Sequence, residues 1–282
     1  MKRLLSILTA LCRHRSGLAG LLILALFLLL ALFAPAISPR DPLSMNTESL
    51  LQPPGKSGWM GTDPLGRDQW SRILHGSRLA FQVGLVSVGS ALFAGTFLGV
   101  TAGYLGGKID WLLCRITDVL FSVPEVMLAL AIMALLGQST TNVMLAIGIV
   151  YTPIFTRVAR GEILRSKNTL FVTAARGMGV RNIPIIFRHL LPAAAPALIV
   201  QTTLSFAFAV LAESALSFLG LGVEPDAPSW GLMLRDGKDW LEQAWWLSVF
   251  PGLAITLTVL SFNLFGDALR DILDPRMQRS SS

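Results

Sequence analysis

Residues 16–39 of this chain contain no charged side chain. A helix rises about 1.5 Å per residue, so such a run can cross the roughly 30 Å hydrocarbon core of a bilayer. The pattern recurs. Residues 79–107, 142–156, 190–212 and 243–266 are equally free of charge, and 111–137 is apolar with three interruptions. With 53% hydrophobic residues, 14% charged and a mean hydropathy of +0.62, the chain lacks the polar surface of a water-soluble globule. Inside lipid every backbone amide must find an internal partner, which a helix provides. The expected fold is an all-α membrane protein with six transmembrane helices.

The first run has a rival reading as a cleaved signal peptide, because Lys2, Arg3, Arg13 and Arg15 precede it and Ala34-Pro35-Ala36 closes it. Its length, and the spans that follow, favour an uncleaved helix at 16–39 after a tail at 1–15. A polar segment at 40–78 follows, in which Trp70, Ile73 and Leu74 share one helical face; this predicts a short helix lying along the membrane surface. The five-span core then occupies 79–266, interrupted at 157–192, and a tail at 267–282 ends the chain. Trp230, Trp240, Trp245 and Trp246 suit a membrane–water interface.

The net charge of +6 and pI near 9.9 raise the question of nucleic acid, but membrane topology accounts for them. Six spans put both termini on one side. That side receives sixteen of the 23 Lys and Arg residues, which makes it cytoplasmic. The stretch 157–192 lies there with Arg157, Arg160, Arg165, Lys167, Arg176, Arg181 and Arg188 against a single acid, Glu162.

Several residues stand out within the spans. Ala91, Gly95, Gly99, Gly103 and Gly107 recur every fourth residue, a ridge that lets another helix approach closely. Asp118 is expected to pair with Arg115 at i,i+3. Glu125 and Glu213 are ionisable groups in apolar surroundings and thus functional-site candidates, pathway contacts if the chain is a transporter; Glu125 equally suits a carboxylate satisfied by neighbouring backbone at a proline kink, and Glu213 a role in capping or orienting the SFLGLG turn at 217–222. Two cysteines and three scattered histidines form neither a disulfide framework nor a metal site. No residue set points to catalysis, and AGYLGGKI at 102–109 departs from a Walker A at Ala102 and Ile109. Active transport would therefore draw on ions or on a separate ATPase.

TAARGMGVRNIPIIFRHLLP, residues 173–192, resembles the cytoplasmic EAA loop of ABC-importer permeases. Ala174, Ala175, Gly179 and Leu191-Pro192 keep its spacing; Thr173 stands where Glu is usual, and His189 where Ile is usual. GTDPLGRDQWSRILHGSR, DVLFSVPEVMLA, SFLGLGVEPDAPSWG and FNLFGDALRDILDPR resemble signatures of the dipeptide/oligopeptide/nickel branch, in its C-type subunit. The resemblance covers roughly 60–275. It implies a subunit of the bacterial inner membrane that imports peptides or, alternatively, nickel chelates. Its implied partners are a homologous second permease, two cytoplasmic ATPases that carry the ATP and Mg, an extracytoplasmic solute-binding protein and membrane lipid. It implies no cofactor in this chain and no nucleic acid. A coupling helix at about 169–182 would present Phe171, Ala174, Ala175 and Met178 to an ATPase, with Thr173, Arg176, Arg181 and Pro192 around it and Gly179 at its turn. An ion-coupled secondary transporter would favour several mid-membrane charges and inverted repeats, where this sequence offers few charges and no detectable repeat; a membrane scaffold leaves the ordered signatures unexplained.

Overall fold

A computed structural model describes residues 14–273; residues 1–13, with Cys12, and 274–282 lie outside the described residues. The described chain is helical, with one isolated bridge between Thr62 and Asp68. The helices are α1 (Arg15–Ile37), α2 (Gln69–Leu105), α3 (Gly107–Phe121), α4 (Glu125–Leu136) and α5 (Thr140–Ser166). Then come α6 (Leu170–Gly177), α7 (Asn182–Ile185) and α8 (Leu191–Phe218), the last two joined by a π-helical turn at Ile186–Leu190. The short α9 (Trp230–Gly237) and the long α10 (Trp246–Leu273) complete the chain.

Five segments are long and apolar enough to span a membrane: α1, α2, α5, α7 through α8, and α10. The remaining expected span, the third at 111–137, is broken, since α3 and α4 meet at 89°. Pro124 explains the break. It has no N–H to continue the helical ladder and it pushes Val123 out of the helical region.

Glycines set the spacing of the bundle. α1 runs antiparallel to α10, where a Cβ added at Gly20 would lie 2.8 Å from the Phe265 backbone nitrogen. His14 and Asp271, 3.6 Å apart, bring the two ends of the described chain to the same end of the bundle. α2 lies alongside α5 in the same direction. Gly95, Gly99 and Gly103 face Phe155, Ala159 and Ile163 in matching steps of four, and a Cβ at Gly99 would come within 2.7 Å of the Ala159 Cβ. Ala91, wholly buried, extends the ridge. Gly107 does not belong to it: its φ of +58° turns the chain into α3, with open space around it.

Two further expectations change. The surface helix expected within 61–78 does not form as a separate unit, because Asp68 caps the long α2 by accepting from the Ser71 amide at 2.8 Å, and the helix runs unbroken from Gln69. Trp230 and Trp246 are buried rather than interfacial; their indole N–H groups donate to the carbonyls of Ile73 (3.1 Å) and Thr62 (3.2 Å). Gly76 makes room for the first, since a Cβ there would lie 2.5 Å from the Trp230 Nε1.

Candidate functional site

At the arginine-rich end, α6 forms a short bracket between α5 and α8. Val172 and Ala175 point inwards and pack with Ile163, Ile185 and Leu190. Leu170 (89% exposed), Phe171 and Met178 point outwards, with Ala174 exposed between them. The expected docking face is therefore corrected: Ala175 belongs to the core, because a helix of 3.6 residues per turn places Val172 and Ala175 on the face opposite Ala174. The expected helix at 169–182 is also shorter, ending at Gly177, with Gly179 at φ +76° reversing the chain. The two departures from the EAA pattern have local partners. Thr173 donates its hydroxyl to the Thr169 carbonyl at 3.2 Å, and the His189 ring packs 5.7 Å from that of Phe171.

The bracket is tied to α2 as well. Tyr104 donates to the Asn182 side chain at 2.6 Å, the Arg176 guanidinium sits over the Tyr104 ring, and Lys167 donates to the Gly103 carbonyl at 2.8 Å. Arg181 and Arg188 remain exposed. α3 is clamped to α5 by Arg160 on Asp110 and by Arg157 on Asp118 at 3.1 Å, with Arg157 also 4.0 Å above the Phe121 ring. Asp118 thus pairs across helices rather than with Arg115. The break between α3 and α4 brings this acid within reach of α5.

Glu125 is the first residue of α4 and is exposed. It makes no ion pair or hydrogen bond among the described residues. A helix N-terminus stabilises a carboxylate by about 0.3–1 kcal/mol, less than the roughly 2.5–3.5 kcal/mol an acid costs at the centre of a spanning helix. Glu213 is different. It is 1% exposed and accepts from Ser217 at 2.8 Å and from Ser229 at 2.7 Å. Ser229 is also the N-cap of α9. Glu213 is corrected from a pathway candidate to a buried joint between α8 and α9; of its two expected roles, orienting the loop after α8 is the one its contacts fit.

The opposite end of the bundle is closed by its own charges. Asp63, 4% exposed, accepts from the Arg67 amide at 2.9 Å and from its guanidinium, while Arg67 also reaches Asp236 at 3.6 Å. Burial pushes the Asp236 carboxyl above the usual carboxylate range, against the pull of Arg67 and Arg72. Glu224 accepts from the Thr140 hydroxyl at 2.6 Å and from its amide at 3.1 Å. Burial raises this carboxyl, but the hydrogen bonds from Thr140 outweigh it and leave it below the ordinary value. Gln138 donates to the Gly220 carbonyl beside them.

The family model described as "Binding-protein-dependent transport system inner membrane component" matches residues 95–279. A second, "N-terminal TM domain of oligopeptide transport permease C", matches 5–54. The chain is 44% identical to a dipeptide transport system permease protein of Alkalihalophilus pseudofirmus, over 94% of this chain and 88% of the relative. It is 42% identical to a di/tripeptide transport system permease protein of Pseudomonas aeruginosa, over 95% and 90%. A glutathione transport system permease protein of Pectobacterium atrosepticum is 39% identical over 94% and 88%. Among solved structures, the fold matches a chain of the inward-facing MetNI methionine ABC transporter with a TM-score of 0.57. That match, at 17% identity, covers 73% of this chain and 97% of the other.

Proposed function

The chain belongs to the binding-protein-dependent transport system inner membrane component family, and from that premise we propose that it is a permease subunit of an ATP-driven importer of small peptides. The relatives named for dipeptides and di/tripeptides support peptides over nickel chelates. Its partners in this reading are a homologous second permease, two ATPase subunits that hold ATP and Mg, and a solute-binding protein on the far side of the membrane. The arginine-rich end faces the cytoplasm in this reading, in keeping with the distribution of Lys and Arg.

One observation carries the reading: an exposed apolar face, Leu170, Phe171 and Met178, on a short helix fixed at the arginine-rich end. Apolar side chains at a polar membrane boundary belong against a protein partner, and Arg176 and Arg181 beside them suit acidic groups on that partner. α6 is anchored through Val172 and Ala175 to α5 and to the chain leading into α8, and through Arg176 over the Tyr104 ring to α2. Movement of the docked ATPase is thereby passed to three long helices as a rigid-body shift. ATP drives the change by binding one arrangement more tightly than the other.

Replacing Phe171 and Met178 together by Ser tests this. Both are exposed, so the thermal stability of the purified subunit is expected to stay within about 0.5 kcal/mol of wild type. Co-purification of the ATPases from membranes is expected to fall at least about tenfold, the effect of losing ~1.4 kcal/mol of binding. Full retention of the ATPases by the double variant removes α6 as the docking element.

A further inference from the structure

The hairpin of α4 and α5 turns at residues 137–139. Equal steps outwards from that turn place Met133 beside Val143, then Ala129 beside Ile147, and all four are buried in one cluster. The next step places Glu125 beside Tyr151. The Glu125 charge acts on the Tyr151 phenol. Glu125 thus continues the inward face of α4, the face of Ala129 and Met133, and does not belong to the outward face that carries Met127 and Leu135. It is exposed because α3 leaves at 89° and uncovers it. Tyr151 lies near the middle of the 27-residue α5, eleven residues after Thr140, so the pair sits at mid-height in the bundle.

Neither group is satisfied by the chain itself. Tyr151 is 3% exposed, and its hydroxyl makes no hydrogen bond among the described residues. The nearest basic residue along α5, Arg157, is engaged by Asp118 and by the Phe121 ring. What remains is one carboxyl group and one phenolic oxygen on facing helices, the first exposed and the second in the buried cluster. An ammonium group matches this pair. It brings a positive charge and three N–H donors, and it restores to the carboxylate the partner that a low-dielectric site demands. A carboxylate or phosphate ligand would be repelled by Glu125.

We propose that Glu125 and Tyr151 form a recognition point for the ammonium group of a peptide passing the break between α3 and α4. The inference rests on the peptide-importer reading and adds to it a chemical contact within the membrane. Two sources of that group exist in peptides, the amino terminus and a lysine side chain, and they share the same chemistry.

The test is initial uptake of dialanine, alanyl-lysine and alanyl-glutamate by cells carrying the whole transporter, normalised to the amount of this subunit in the membrane. The wild type is compared with Glu125→Gln, Glu125→Asp and Tyr151→Phe. Glu125→Gln is expected to slow dialanine uptake about tenfold, as loss of one charge-assisted bond implies. Glu125→Asp, which keeps the charge, restores most of the rate, and Tyr151→Phe slows it about threefold. Equal losses for all three peptides assign the contact to the amino terminus; a smaller loss for alanyl-lysine shows that its side chain also serves. The inference is overturned if Glu125→Gln stays within twofold of wild type. It is equally overturned if Glu125→Asp is as slow as Glu125→Gln, or if the second permease no longer co-purifies with Glu125→Gln, which would make Glu125 a subunit contact. A wild type that imports none of the three peptides overturns the peptide reading itself, and this inference with it.

Discussion

The two ends of the bundle solve opposite problems with similar residues. At the tryptophan-rich end, Asp63, Arg67 and Arg72 are at least 96% buried and paired among themselves, and Trp230 and Trp246 are spent on internal carbonyls. At the arginine-rich end, Phe171, Met178, Arg181 and Arg188 are left outside. The first end holds most of its charge buried and paired inside the chain; the second presents apolar area beside positive charge. Buried pairing marks a region that must hold its shape, and an exposed apolar face beside free charge marks one that holds a partner by its surface. Breaking the closed end should therefore lower stability, and altering the open face should lower association.

The largest expected effect is at Asp63. Its replacement by Ala leaves Arg67 and Arg72 buried without their shared acid. Removing one partner of a buried ion pair costs about 3–5 kcal/mol. Asp63→Ala is expected to cut the melting temperature of the purified subunit sharply and to deplete it from membranes; a melt indistinguishable from wild type would place the strength of this end elsewhere, in the two indoles.

The contrast sharpens within α6, where neighbours in sequence belong to different regimes. Ala175→Asp inserts a carboxylate among Ile163, Ile185 and Leu190 and is expected to cost about 3 kcal/mol. Ala174→Asp enters solvent and should change stability by less than about 0.5 kcal/mol, while weakening retention of the ATPases. Paired thermal melts and co-purifications of the two variants check this. Equal destabilisation would mean that both faces of α6 are packed.

Which parts of this were legible in the sequence follows from how local each signal is. Charge-free runs and the four-residue recurrence from Ala91 to Gly103 report helix and ridge directly, because both depend on neighbours within a turn or two. Pro124 announced a disturbance but not an 89° bend, which depends on how α3 and α4 each pack on α5. The division of Ala174 from Ala175 depends on Ile185 and Leu190, which arrive from beyond the turn at Gly179. The destination of Trp230 required knowing that the Ile73 carbonyl, 157 positions away, accepts from its indole. Tyr151 carried no signal of its own. Counting outwards from the turn at 137–139 would have paired it with Glu125, had the third span been read as broken.

The smallest effect tests whether the closed end is held at its rim as well as in its core. Glu224 joins the first residue of α5, Thr140, to the loop after α8. Its carboxyl lies below the ordinary value in the folded state, so its ionised form favours folding above that ordinary value. The contribution is lost as pH falls through the folded-state value. Glu224→Gln removes the charge but keeps the shape, and is expected to cost about 0.5–1 kcal/mol near neutral pH. Acidification below the carboxyl range should erase the difference, because the wild-type side chain is then also neutral. Melting curves of both proteins across that range decide the matter. A constant difference at every pH would assign the loss to packing of the loop rather than to charge, and the stability of the closed end would then rest on its buried core alone.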